Sequence, residues 1–422
     1  MNRRNAILSS AAVFGAASLL KEQRTAAAPP TPKPPVAPPT PASSLGFTPV
    51  VTPNGVSLAP TMKDGVKEFR LVAEVIEREI APGMTIHAWG YNGVTPGPTL
   101  EAVEGDRIRV FVTNKLPERT SLHLHGVLLP NGMDGVAGLN QPHILPGETF
   151  VYELTLRQHG VQMYHPHSDE MVQMAMGMMG FFVIHPKVPT PVDRHFVVML
   201  HEWFVAPGTK TPNPNIMLDF NLFTFNSSAW PGTDPFVVKT GDRVRMSFGN
   251  LSMDSHPIHL HGYRFRHAAT DGGDIPEAGR VPMTTINVPV GSTQTVEFIA
   301  DAPGDWALHC HKSHHTMNAM NHDAPNLMGV KLGEADEKLR KVLPSAMVMG
   351  TTGMAGMSEM GAAMGTEPVE NTLPMSTGTG PFGAIEMGGM FTVLKVRDGI
   401  TSYADPGWYA APAGTVARKV VT

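Results

Sequence analysis

The chain has 422 residues, of which 42% are hydrophobic and 16% are charged, and its formal net charge is -5. This composition allows a sizeable core and, without any block of Lys or Arg, argues against a nucleic-acid-binding protein. The 42 Gly and 39 Pro residues favour short strands and turns over long helices. One cysteine excludes an internal disulfide and every CxxC zinc module. The 19 His and 27 Met residues predict a metalloprotein, because imidazole and thioether groups both bind copper.

The N-terminus has the features of an export signal. Arg3 and Arg4 precede a short, mildly apolar run and a group of alanines, so residues 1–28 are predicted to be a signal peptide of the twin-arginine type. An ordinary Sec leader or a retained anchor is the alternative. Residues 29–59 are predicted to be a Pro-rich linker. No segment is long and apolar enough to cross a bilayer, so we expect a periplasmic or secreted protein.

The remainder of the chain contains an internal repeat. Residues 105–126 align without gaps with residues 241–262, and residues 146–167 align with residues 290–311. Two copies of one domain are therefore predicted.

The predicted domains cover residues 60–187 and residues 190–422. Polar and apolar residues alternate in short segments separated by Gly and Pro, as in Arg107–Val112, which is typical of half-buried strands. The prediction is an all-β protein of two Greek-key β-sandwich or barrel domains. Residues 345–390 are rich in Met and Gly, and the strand predicted from Phe391 rejoins the second domain, so this stretch is interpreted as an insertion.

Four HxH pairs carry most of the predicted chemistry. Each pair places two imidazoles on one face of a strand, because side chains alternate along it. The pairs are His123 and His125, His165 and His167, His259 and His261, and His309 and His311. Four pairs at matching positions of two repeats predict a multinuclear metal centre between related domains. The other histidines are interpreted as surface or core residues; they include His87, His143, His159, His185, His195, His201, His267, His314 and His322.

The single cysteine, Cys310, lies between His309 and His311. A thiolate, two imidazoles and a weak axial thioether make a blue-copper electron-transfer site. The candidate ligands are His256, Cys310, His315 and Met320. In the first repeat Thr120 stands in place of His256 and Pro166 in place of the cysteine, so one such site is predicted, in the second domain.

These motifs resemble those of the multicopper oxidase family. The matching segments are HLHG at 123–126, YHPH at 164–167, HPIHLHG at 256–262 and HCHKSHHTMNAM at 309–320. The resemblance extends over about residues 65–330 and implies cupredoxin-like domains.

The resemblance also implies four copper ions per active unit. Type 1 copper would be held by His256, Cys310, His315 and Met320. Type 2 copper would be held by His123 and His259. The type 3 pair would be held by His125, His165, His167, His261, His309 and His311. Type 1 copper would take single electrons from a reductant, and four electrons would reduce dioxygen to two waters at the cluster.

An acidic residue of the family near the cluster is matched by Asp134. It would orient the water on type 2 copper and supply protons for oxygen reduction, although an Asp before Gly135 is also ordinary in a turn. Some members carry a proton-donating Glu after the last type 1 His, where this chain has Thr316.

The interval between His123 and His256 leaves no room for a middle domain. The chain therefore resembles the two-domain, small laccase-like type with type 1 copper in its second domain. Such proteins form homotrimers in which each cluster bridges two subunits, and by analogy a homotrimer is expected.

The insertion supplies the leading hypothesis for the reductant. Its thioethers could capture Cu(I), which predicts cuprous oxidation for copper tolerance. The candidate port consists of Met347, Met349, Met354, Met357, Met360 and Met364. An earlier Met run at residues 171–179 is interpreted instead as part of a packed strand.

Two alternative functions remain open, and a third is excluded. The first is a laccase that acts on phenols or aromatic amines, with Mn(II) or Fe(II) oxidation as a variant. The second is a non-catalytic copper-sequestering protein, against which the complete ligand set argues. The third, a copper nitrite reductase, is rejected because its blue site lies in the first domain, where this chain has no Cys.

Overall fold

The structure is a computed structural model that describes residues 46–318, 338, 341–342, 370–373 and 378–420. The predicted signal peptide, Met320 and the methionines of the candidate port lie outside the described residues.

In the N-terminal half the strands are β1 (Val50–Val51), β2 (Ser57–Leu58), β3 (Thr61–Lys63), β4 (Val66–Ala81), β5 (Met84–Tyr91), β6 (Gly97–Val103), β7 (Arg107–Asn114), β8 (His123–His125), β9 (Thr149–Thr155), β10 (Gly160–His165) and β11 (Gly180–His185).

In the C-terminal half the strands are β12 (Arg194–Trp203), β13 (Leu222–Phe225), β14 (Phe236–Lys239), β15 (Arg243–Asn250), β16 (His256–Leu260), β17 (Phe265–Thr270), β18 (Gly273–Asp274), β19 (Pro282–Met283), β20 (Thr285–Val288), β21 (Ser292–Ile299), β22 (Gly304–Cys310), β23 (Thr379–Gly380), β24 (Gly383–Ala384) and β25 (Phe391–Arg397). Helical elements are α1 (Glu170–Ala175) and 3-10 turns at Asn131–Met133, Glu277–Gly279 and Ser313–Thr316. Within the described residues, no helix has the length and apolar character needed to cross a bilayer.

The first sandwich packs two sheets face to face. One has the strand order β2-β6-β11-β10-β8, and the other has the order β3-β4-β7-β9 with β5 paired to β4. Along β7, alternate side chains are buried, which matches the polar–apolar alternation of its sequence. Its Val110 and Val112 pack in one core with Leu100, Tyr164 and Phe182 of the facing sheet. The strand order departs from the chain order, as in Greek-key sandwiches.

The second sandwich repeats this arrangement. Its sheets have the orders β1-β12-β15-β21-β17-β18 and β14-β25-β22-β16-β20. Strands β15, β16, β21 and β22 occupy the places of β7, β8, β9 and β10. The strand predicted from Phe391 is present as β25, between β14 and β22. The all-β prediction is confirmed, and the sequence repeat corresponds to a structural repeat.

The end of the predicted linker is part of the sheets. Val50–Val51 pairs with β12 of the second sandwich, and Ser57–Leu58 pairs with β6 of the first. The prediction that the linker extends to residue 59 is wrong for these residues, because their exposed backbone groups find partners at sheet edges. The division of the remainder into two domains stays a proposal based on the repeat.

The two sandwiches pack through the outer faces of two sheets. Met163 and Phe181 of the first sandwich contact Val197 and Met199 of β12 in a shared apolar cluster. Arg78 of β4 extends across this boundary. Its guanidinium donates to four oxygen atoms, three of them backbone carbonyls, at 2.8 to 3.1 Å. These bonds fix the first sandwich against the loop after β13.

Replacing Arg78 should therefore destabilise the protein. We expect Arg78→Met to lower the free energy of unfolding by about 3 kcal/mol, because several polar groups lose their partner at once. Urea unfolding measures the change. Arg70→Met is the matched control, since Arg70 is 64% exposed and its loss should cost no more than about 0.5 kcal/mol. Equal effects of the two substitutions would contradict this role.

Candidate metal centre

Three buried donor atoms converge at one end of the second sandwich. His256 begins β16, Cys310 ends β22, and His315 lies in the 3-10 turn that follows. The two Nδ1 atoms are 3.0 Å apart, and Cys310 Sγ lies 3.8 Å from that of His256 and 3.6 Å from that of His315. All three residues are fully buried. The structure thus brings together three of the four predicted type 1 ligands.

This donor set fits copper. Burial raises the pKa of the Cys310 thiol to about 12 and lowers the pKa of His256 to about 3. The imidazole is therefore neutral, and a bound cation would be needed to hold the thiolate. One cysteine and two imidazoles are the equatorial donors of blue-copper sites.

A buried asparagine orders the loop that presents His256. The Asn250 amide donates to two backbone carbonyls and accepts from the backbone of Ser252, whose hydroxyl oxygen lies 3.0 Å from His256 Nε2. Nδ1 is left to face Cys310. Asn114 makes the same three backbone contacts in the first sandwich, so the repeat preserves the scaffold of the loop.

The first sandwich fills the equivalent position differently. Thr120, which replaces His256 in the repeat, is fully buried and donates to Gln173 of α1 at 2.7 Å. Gln173 in turn donates to a backbone carbonyl. A neutral hydrogen-bonded pair therefore stands where the second sandwich has metal donors.

The first histidine cluster lies on β8, on β10 and just beyond β10. His123 and His165 are partners in the register of these strands. The ring centroids of His123, His125, His165 and His167 are 5.2 to 6.3 Å apart in the contacting pairs. His123 Nδ1 donates to the Asp134 carbonyl at 2.6 Å, and His165 Nδ1 donates to the Pro166 carbonyl at 2.8 Å. Such bonds leave Nε2 of both rings as a metal donor.

The second cluster repeats this geometry on β16 and β22. His259 and His309 are register partners. Their Nδ1 atoms donate to the carbonyls of Thr284 and Cys310 at 2.7 and 2.8 Å. His261 Nε2 lies 3.1 Å from His309 Nε2. Two imidazolium cations this close would repel each other. Burial lowers the pKa of both His261 and His309.

Across the part that the structure describes, no ring of the first cluster contacts a ring of the second. His261 and His311 are exposed. Each cluster therefore presents only half of the predicted eight-histidine centre.

Two family models match the chain. Both are described as multicopper oxidase, and they match residues 73–189 and 206–326. The chain belongs to the multicopper oxidase family. The matches include all eight cluster histidines and all four proposed type 1 ligands, and the two-domain, small laccase-like form fits them.

Similar proteins agree with this family. The chain is 45% identical to copper resistance protein A of Escherichia coli over 26% of this chain and 18% of that protein. It is 29% identical to a probable nitrite reductase-hydroxylamine oxidoreductase fusion protein of Kuenenia stuttgartiensis over 68% of this chain and 33% of that protein. The chain thus spans a third or less of the length of these relatives.

A solved structure shows the same fold. The blue copper oxidase from Nitrosomonas europaea superposes with a TM-score of 0.58 at 25% identity, and the match covers 78% of this chain and 86% of that chain. The predicted cupredoxin-like architecture is confirmed.

Two carboxylates lie beside the first cluster of this multicopper oxidase. Asp134 Oδ1 is 3.5 Å from His123 Nδ1. Glu170 of α1 was not predicted. Its oxygens lie 3.7 Å from His165 Nδ1 and 3.4 Å from His167 Nε2. The sequence signal that could have identified Glu170 is its position three residues after His167.

A third carboxylate lies beside His256 and His315. Glu202 of β12 is buried, and its Oε1 is 3.6 Å from His256 Nε2. Its Oε2 accepts from the backbone of Met253 and Asp254. Burial raises its pKa to about 7. Sequence analysis missed this residue, although a glutamate within an otherwise apolar strand was a visible signal.

The earlier Met run is only partly a packed strand. Met176, Met178 and Met179 are buried, as predicted. Met171 and Met174 instead lie on α1, where Met171 is 48% exposed. The strand prediction is wrong for this part, because the chain turns into a helix right after the HxH pair.

Proposed function

We propose that this chain is a copper-dependent oxidoreductase that oxidises a reductant by one electron at a time and reduces dioxygen to water. The observation that carries the proposal is the buried set of Cys310, His256 and His315. Within this set, Cys310 lies between the cluster residues His309 and His311 in the sequence. Copper bound at these sites would supply the one-electron and dioxygen chemistry. Family membership and the fold support this activity.

The chain itself connects the two kinds of site. Cys310 is bonded through the backbone to His309 and His311, and its own carbonyl accepts from His309 Nδ1. The same strand end therefore orients donors for both sites. Backbone carbonyls hold four of the cluster rings, those of His123, His165, His259 and His309, so these rings need little rearrangement when metal binds.

The copper assignments remain those implied by the family. We propose type 1 copper at His256, Cys310, His315 and Met320. Type 2 copper is proposed at His123 and His259. The type 3 pair is proposed at His125, His165, His167, His261, His309 and His311.

The complete cluster is proposed to form between copies of the chain. Among the described residues no ring of one half-cluster contacts the other, and the second is open to solvent at His261 and His311. A cyclic homotrimer would place the first half-cluster of one copy against the second half-cluster of the next. We also propose that the twin-arginine signal directs export of the protein to the periplasm or out of the cell.

Asp134 is proposed to deliver protons near the type 2 position. Its backbone carbonyl orients His123, so Asp134→Asn keeps that bond and removes only the carboxylate. We expect oxygen consumption to slow by roughly tenfold or more while the copper content stays unchanged. Copper analysis and oxygen uptake on the same sample measure both. Unchanged oxygen uptake at full copper loading would refute the role.

The proposed reductant is Cu(I), for copper tolerance. The similarity to a copper resistance protein and the methionines of residues 345–390 support it. Oxygen uptake by the copper-loaded protein, with Cu(I) compared with a simple phenol, is the test. Fast uptake with Cu(I) and slow uptake with phenol is expected. The reverse would make the protein a laccase, and no uptake with either would indicate copper sequestration.

A further inference from the structure

A cavity of about 280 Å³ opens beside the blue-copper donors. Four methionines from three separate segments line it, together with apolar side chains and three buried polar residues. The lining residues that matter here are Met171, Met174, Met217, Met253, His201 and Glu202. Of these methionines only Met253 falls within the aligned repeat, and none belongs to the copper motifs.

The rim of the cavity is unusually rich in exposed thioethers. Met171 is 48% exposed, Met217 is 37% exposed and Met253 is 50% exposed. Methionines that only fill space are normally buried in a core. Here they come from α1, from the loop before β13 and from the loop after β15, and all converge on one opening.

The floor of the cavity carries a carboxylate with one unused oxygen. Glu202 is 2% exposed. Its Oε2 accepts two backbone N–H groups, whereas its Oε1 has no hydrogen-bond partner among the described residues. A buried acceptor without a partner is costly unless a ligand satisfies it. His201 lies beside it, is 3% exposed, and burial keeps its imidazole neutral by lowering its pKa to about 3.

We propose that this cavity binds Cu(I) as the substrate, with thioethers at the rim and Glu202 at the floor. This inference rests on the proposed function, and it identifies the site at which Cu(I) would bind before it gives up its electron. Thioethers select Cu(I) over the harder Fe(II) and Mn(II), and one carboxylate balances its charge. Each Cu(I) gives up one electron and leaves as Cu(II), which prefers nitrogen and oxygen donors. Four such ions, one dioxygen and four protons yield two waters.

The position of Glu202 makes the cavity suitable for electron entry. Its Oε1 lies 3.6 Å from His256 Nε2 and 3.9 Å from His315 Nε2. The Nδ1 atoms of the same two rings face Cys310. An ion held at the floor would therefore be separated from the proposed type 1 position by the single imidazole rings of His256 and His315.

Silver(I) tests the site without turnover, because it binds thioethers as Cu(I) does and is not oxidised. Silver binding to the copper-loaded protein is measured by equilibrium dialysis, and sulfur ligation by X-ray absorption. We expect one tight silver ion in the cavity, with an affinity that falls by about tenfold or more in Met174→Leu/Met253→Leu and in Glu202→Gln. The control Met62→Leu removes a thioether that is 59% exposed on β3, and should bind silver as the parent does.

A separate variant accounts for silver held elsewhere. Replacing Met347, Met349 and Met354 by Leu removes thioethers of the insertion and should leave the cavity ion bound. Unchanged silver affinity in the cavity variants would overturn the proposal. Loss of silver binding in the insertion variant alone would overturn it as well.

Kinetics separates this inference from the proposed function. We expect the cavity variants to raise the KM for Cu(I) by about tenfold while the blue absorption remains. If the parent oxidises Cu(I) and the cavity variants do so with the same KM, the inference fails and the proposed function stands. If only the KM for a phenol rises, the cavity holds phenols instead. If the parent protein consumes no oxygen with Cu(I), both fail.

Discussion

Cys310→Ser is expected to abolish the blue colour and oxidase turnover while the histidine clusters keep their copper. The hydroxyl is harder than the thiolate and does not reproduce the copper–thiolate bond of such sites. It is also smaller than the buried thiol it replaces, so the surrounding core should tolerate it. Visible absorption, copper analysis and oxygen uptake measure the three effects.

The repeat supplies a matched control for this substitution. Pro166 occupies the position of Cys310 in the first copy, and its backbone carbonyl, which accepts from His165, is retained in Pro166→Ser. The blue absorption should survive that change. Retained turnover in Cys310→Ser, or a blue colour lost equally in both variants, would disprove the assignment of Cys310.

Mixing two inactive variants should restore activity if the cluster forms between copies. His125→Ala breaks the first half-cluster and His261→Ala breaks the second, so each variant alone should be inactive. Co-expressed at equal levels, random cyclic trimers contain intact pairs of half-clusters at about a quarter of their interfaces. Oxygen uptake of the mixed protein should therefore reach about a quarter of the parent value.

The control for this experiment pairs His125→Ala with His123→Ala. Both changes fall in the first half-cluster, so no interface in the mixture is intact and no activity should return. If the first mixture is also inactive and the protein sediments as a single chain, the inter-copy cluster is refuted. A cluster assembled within one chain gives that result.

Much of this protein can be predicted from sequence because its chemistry lies in local patterns. An HxH pair on a strand puts both rings on one face wherever that strand lies, and His123 and His125 do so on β8. The two aligned repeats predict equivalent strands, and Asn114 and Asn250 have the same contacts in both. A cysteine flanked by two histidines of HxH pairs predicts a blue-copper site without knowledge of the fold.

Errors and omissions arose where long-range packing decides the outcome. Val50–Val51 was assigned to the linker, because nothing local shows that it adds to an edge strand of the second sandwich. Met171 and Met174 were assigned to a strand, although α1 turns them toward a cavity. Glu202 is far in sequence from His256 and reaches it only through the pairing of β12 with β15.

The sequence by itself determined the family and the β architecture and predicted the donor residues, since these depend on residue type and spacing along single strands. The tertiary structure alone decided that no ring of one half-cluster contacts the other among the described residues, and that Glu202 lines one cavity together with four methionines. Both follow from how the sandwiches pack, and that packing is set by non-local contacts such as those of Met163, Met199 and Arg78.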